Sequence, residues 1–184
     1  MPKGPPFDPR AVANLMLDQA AVAGLKLSNL ALQKLLYFAH GQYLIRTGNP
    51  LLDGCFEAWT YGPVHPAVYR AFKCEEGRPI ETRATARDVM TGATRPMPVP
   101  DDIEVQRVIV GVLGSLGHLS AGRLIEITHA PDGPWAFVVN KAKTSVVLGL
   151  RISDNVTRER FRFQRVSVGP DSRVGEPNED SPLV

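Results

Sequence analysis

The sequence predicts a mainly α, compact single-domain helical fold with at most a short β element. Three observations carry that expectation. The chain has 184 residues, 43% of them hydrophobic and 22% charged, enough apolar material for one ordinary core. Apolar residues recur at helical spacing in several windows, most of them bracketed by capping residues. Extended signals are confined to one short mixed stretch and one ambiguous one. The 16 glycines and 16 prolines fall short of a low-complexity composition and fit well-punctuated loops.

Residues 1–7 form a Pro-rich flexible leader. Asp8-Pro9 reads as an N-cap and first helical residue, because Asp offers an acceptor to orphan amides and Pro needs no helical N–H bond there. Val12, Leu15, Met16 and Ala20 then give one apolar face, and Gly24 closes the helix. Ser28 or Asn29 caps a second helix, Leu30 to Arg46, ended by Thr47-Gly48-Asn49-Pro50. At 100° per residue its apolar groups lie almost all round, which places it at the centre of the fold. Gly41 inside this helix costs up to about 1 kcal/mol relative to Ala, so another backbone is expected to pass close to it.

Leu51 to Tyr61 is the short extended stretch, broken by Gly62-Pro63, and Val64 to Lys73 reads as a third helix. Residues 75–100 are polar and Pro-punctuated, a long loop. Asp101 or Asp102 caps a helix from Ile103 to Leu116, and Ser120 caps one from Ala121 to His129. Trp135 to Leu150 is ambiguous between strand and helix. Asp154 caps a last short helix through Arg162, and residues 167–184 have the composition of a disordered tail. The domain proper is thus expected over 8–166.

The charge balance, 21 Lys+Arg against 19 Asp+Glu, gives no strong electrostatic reason to expect nucleic acid or an anionic membrane. Cys55 and Cys74 are isolated thiols, the N-terminus has no signal-peptide character, and no 18-residue apolar span exists, so a soluble cytoplasmic protein is expected. P-loop, GxSxG and HExxH signatures are absent. The four histidines, His40, His65, His118 and His129, have no zinc-like spacing with the cysteines, and no metal or cofactor is expected. Ser120 is better explained as a cap than as a nucleophile. A Cys55–His65 nucleophile and base is the weak enzymatic alternative. Gly111, Gly114 and Gly117 suggest close helix packing plus a cap. Arg151, Arg158, Arg160, Arg162 and Arg165 make 151–165 basic enough for an alternative reading as a DNA-binding regulator.

The most specific cluster is of a binding type. Gln33, Tyr37 and His40 share one face of the second helix, flanked by Lys34 and Gly41. Trp59, Tyr61 and Tyr69, with the Gly62-Pro63 turn between them, supply rigid aromatic bodies with polar tips, the groups favoured where a surface must bind at low entropic cost. Together Gln33, Lys34, Tyr37, His40, Trp59, Tyr61, Gly62, Pro63 and Tyr69 are expected to line or organise a recognition face, with Leu35 by contrast in the core.

These blocks carry a resemblance. Leu30-Ala31-Leu32-Gln33-Lys34-Leu35-Leu36-Tyr37-Phe38-Ala39, Thr47-Gly48-Asn49-Pro50-Leu51 and Glu57-Ala58-Trp59-Thr60-Tyr61-Gly62-Pro63-Val64-His65-Pro66 resemble the signature of the Panacea domain family of SocA-like and GepA-like proteins. Leu119-Ser120-Ala121 and Thr128-His129 up to Pro134-Trp135 resemble its second half, so the likeness covers roughly 9–165 and departs in 75–100 and 136–150. The resemblance implies an antitoxin that neutralises a cognate toxin by direct protein–protein binding. For lone-domain members like the SocA type it also implies a proteolytic adaptor that delivers the toxin to the ClpXP protease. It implies no enzymatic activity and no catalytic residue.

Overall fold

The structure is a computed structural model that describes residues 4–75, 77–144 and 149–163. Its framework is helical: α1 (Pro9–Val22), α2 (Asn29–Thr47), α3 (Pro66–Phe72), α4 (Ile103–Leu116), α5 (Ala121–Thr128), α6 (Pro134–Thr144) and α7 (Asp154–Arg160). Five short strands accompany them: β1 (Phe56–Trp59), β2 (Gly62–Val64), β3 (Thr85–Arg87), β4 (Thr94–Pro96) and β5 (Arg151–Ile152). The β content is larger than expected but remains subsidiary.

Caps fix the helix starts. Asp8 accepts from Arg10 N at 2.9 Å ahead of Pro9, and Ser28, rather than Asn29, caps α2 by accepting from Ala31 N. Asp102 takes the amides of Glu104 and Val105, and Ser120 takes that of Arg123. α7 is capped by Ser153, one residue before the expected Asp154. Gly48, at φ +75°, closes α2 in the left-handed conformation that glycine adopts without a side-chain penalty.

α2 runs through the middle and touches α1, α3, α4, α5, α7 and β2. Leu32, Leu35, Leu36, Ala39 and Leu44 are fully buried, as a helix apolar on every side requires. Around it the core takes in Val12 and Met16 of α1, Val68 and Phe72 of α3, Val105, Ile109 and Val112 of α4, and Leu124 of α5.

Five local expectations change. Phe7 belongs to the core, not to a mobile leader: its amide donates to Leu51 O at 2.8 Å and its carbonyl accepts from Asp53 N at 2.8 Å. β1 pairs antiparallel with β2 through a two-residue turn and with β5 on its other side, so Gly62–Val64 is strand and the third helix starts only at Pro66. Residues 75–100 contain the β3–β4 hairpin, held at its base by Asn14, whose side-chain amide exchanges two hydrogen bonds with the backbone of Ala84. The ambiguous stretch after Trp135 is helix to Thr144. Gly41 makes room for the Phe161 ring, not for a backbone.

Candidate functional site

The polar stripe of α2 is buried. Gln33, Lys34 and Tyr37 have no exposed surface and His40 is 3% exposed. The polar ends of Gln33, Lys34 and His40 each reach a neighbouring element. Gln33 Oε1 accepts from the amide of His65 at 2.8 Å while its Nε2 donates to Asn29 Oδ1, which ties the strand-to-helix corner at β2–α3 to α2. Lys34 Nζ donates to Pro63 O at 3.2 Å. His40 Nδ1 accepts from Leu52 N, so its Nε2 carries the proton that is donated to Asp154 Oδ1 at 3.1 Å at the start of α7. That bond outweighs the opposing cost of burial and holds the Asp154 carboxyl below the usual carboxylate range. Tyr37 packs edge-on against Phe56 and Phe161.

Gly62 explains the turn. Its φ of +97° excludes a comfortable side chain, and a β-carbon there would lie 2.6 Å from Thr128 Oγ1 and 3.1 Å from Lys34 Cε. The turn is pressed against α2 and α5 so that Pro63 O meets the buried ammonium. Gln33, Lys34, Tyr37, His40, Gly62 and Pro63 are therefore internal fasteners of α2 to β2, α3 and α7. The structure places this stripe inside the domain: periodicity shows that these residues share a face, but not that a sheet and two helices cover it.

Trp59, Tyr61 and Tyr69 remain half-buried at the surface. Trp59 and Tyr69 meet edge-on at 4.8 Å, Trp59 Nε1 donates to Glu57 Oε2, and Trp135 Nε1 donates to Trp59 O at 2.8 Å. Trp135 in turn stacks on His129 at 3.7 Å. Burial, with the Lys34 charge nearby, lowers the His129 pKa to about 4, and its Nε2 is buried without a hydrogen-bond partner. The imidazole is thus neutral at ordinary pH.

The remaining motifs resolve in different directions. Gly111 and Gly114 face open space, so close packing does not explain them, whereas a β-carbon at Gly117 would strike Leu113 O and Leu25. In the basic segment Arg158 donates to Gly48 O, and Arg160 donates to Asp132 O with its guanidinium 3.9 Å above the Phe137 ring. Two of its cations are thereby committed to internal contacts. Arg165 and the acidic tail lie outside the described residues. Among the described residues no group of three His, Cys, Asp or Glu is placed to hold a metal.

Sequence reasoning missed a groove of about 820 Å³ where the start of α1, the loop before β1, α3, the entry to β3 and β5 converge. Arg10, Arg70, Arg83 and Arg151 rim it, small residues including Pro9, Ala67, Ala71 and Ala84 line it, and Cys55 and His65 share it. Burial lowers the His65 pKa, and its Nε2 donates to Asp53 O at 2.9 Å. Its arginines come from positions 10, 70, 83 and 151, so no local pattern could have announced it.

A small helical domain pinned by a buried polar helix and edged with half-buried aromatics defines the class, and the sequence places it: the signature described as "Antitoxin SocA-like, Panacea domain" matches residues 32–136, and the chain belongs to that family. Among curated proteins it is similar to Antitoxin SocA of Caulobacter vibrioides (strain NA1000 / CB15N), 47% identical over 175 residues, which cover 95% of this chain and 93% of that protein. No solved structure matches it. No single helix among the described residues is long and apolar enough to cross a membrane.

Proposed function

We propose that this chain is a cytoplasmic antitoxin that neutralises a cognate toxin by direct protein–protein binding and hands it to the ClpXP protease as an adaptor. The observation that carries the reading is the 47% identity to an antitoxin over nearly the full length of both chains. The rigid core supports it physically. A chain that masks another protein needs a preorganised surface, and α2 with its buried fasteners fixes the Trp59, Tyr61 and Tyr69 edge before any partner arrives. Half-buried aromatics give contact area at low entropic cost. The chain acts by binding, with no catalytic step.

Co-expression with the product of the neighbouring open reading frame tests this. The neighbour alone should arrest growth, and this chain should restore growth and co-purify with it. A harmless neighbour, or a lethal one left unbound, overturns the reading. For the adaptor step, purified ClpXP should degrade the neighbour faster when the full chain is added. Equal half-lives with and without it would leave masking alone.

A further inference from the structure

We infer that the arginine-rimmed groove seats a carboxylate-bearing segment of the partner toxin; the inference rests on the antitoxin reading above and names its contact. Four guanidinium groups from separate elements face one depression. Arg10 is paired with Asp8 at 2.8 Å and Arg83 with Asp18 at 2.7 Å. Among the described residues Arg70 and Arg151 make no ion pair, and both are exposed. The carboxylates in the groove are already engaged: Asp8 by Arg10 and the first amides of α1, Asp53 by the Gly54 amide, and Glu57 by the Trp59 indole. Burial alone would raise the Asp8 pKa, but the Arg10 hydrogen bonds outweigh it and hold the group ionised. Two planar forks thus stand unmatched, and a guanidinium pairs bidentately with a carboxylate.

The surroundings narrow the occupant. Small residues leave room for a peptide backbone to lie close, and the volume exceeds that of one side chain. A continuous phosphate backbone is disfavoured, because Asp8, Asp53 and Glu57 would repel successive phosphates, whereas a peptide can place single carboxylates opposite Arg70 and Arg151. Glu57 also joins the groove to Trp59, so the charged depression and the aromatic edge form one continuous surface.

The test uses the full chain and the co-purified neighbour protein, with association measured across a salt series. Arg70→Glu combined with Arg151→Glu should slow association by about tenfold or more at low salt and flatten its salt dependence. Lys141→Glu with Lys143→Glu, an equal charge change on α6, should alter it less than about twofold. Thermal melting checks the fold, and the milder Arg70→Gln with Arg151→Gln serves if the reversal unfolds the chain, with a loss of about threefold expected. Unchanged association and salt slope in a folded groove variant overturn the inference while the antitoxin reading stands. So does a DNA duplex that competes for wild-type chain and fails to bind the variant. Wild-type chain that neither binds the neighbour nor restores growth overturns both.

Discussion

Helix α2 and the segment from Ile80 to Met97 stand at opposite ends of what this chain does with its residues. In α2 even the charged side chain of Lys34 is fully buried and hydrogen-bonded. In the β3–β4 hairpin even the apolar side chains of Val89 and Met90 are 97% and 93% exposed. Buried polar groups cost stability unless every partner is in place, so α2 tolerates one arrangement only. The hairpin is fixed at its base by Asn14, Ile80 and Met97, and its tip is free to differ without touching the core. A motif can therefore be among the most specific text in a sequence and still serve to hold the scaffold together.

The largest effects should come from α2. Leu35→Ala removes a fully buried side chain and should lower unfolding free energy by about 2–5 kcal/mol. Gln33→Ala strands the His65 amide and the Asn29 carboxamide, and should cost about 2–3 kcal/mol. Tyr61→Ala, half-buried, should cost about 1 kcal/mol or less. Chemical denaturation of the three variants checks the ranking. A Gln33→Ala variant as stable as wild type would mean that the stripe is not the fastener described above.

The same contrast explains what the sequence made legible. Cap and period signals placed six of the seven helices, because Asp8-Pro9, Ser28, Gly48, Asp102 and Ser120 act through bonds a few residues away. They could not show that Gly62-Pro63 and Val64, read as a break and the start of a helix, form a strand pressed against Lys34 and Thr128, nor separate strand from helix in Pro134–Thr144, where β-branched Val138 and Val139 mimic a strand. For the site, the residues were legible and their exposure was not. Helical spacing gives a shared face, but burial of that face depends on Phe56, His65 and Asp154, which lie 16 to 121 positions further on than Gln33 to His40.

An intermediate effect distinguishes the buried imidazole of the aromatic edge. His129 has a folded pKa of about 4 against an ordinary 6.5. Above pH 6.5 it is neutral whether the chain is folded or unfolded. Between 6.5 and about 4 only the unfolded chain takes up the proton, so stability is full above that window and falls as pH falls through it. The loss should reach about 2 kcal/mol by about pH 4.5, with His65 adding in the same direction. His129→Phe keeps a ring on Trp135, removes the unpartnered Nε2, and should flatten part of that slope in melting curves taken from pH 7 to 4.5. An unchanged slope would show that acid loss in this range arises elsewhere, with His65 the next group to examine.

The smallest effect belongs to the hairpin tip. Val89→Ser with Met90→Ser removes two large apolar side chains, yet neither leaves water on folding, so the hydrophobic term lost is close to zero. The turn itself is held by Asp88, whose Oδ1 accepts from the amides of Met90 and Thr91, and by Gly92 at φ +69°, which donates to Asp88 O. Those bonds use backbone groups that serine retains. Unfolding free energy should therefore stay within about 0.5 kcal/mol of wild type, against several kcal/mol for one methyl-bearing branch at Leu35. A drop of 2 kcal/mol or more for the tip pair would mean that Val89 and Met90 are covered in solution, and would erase the distinction between a committed centre and an independent rim.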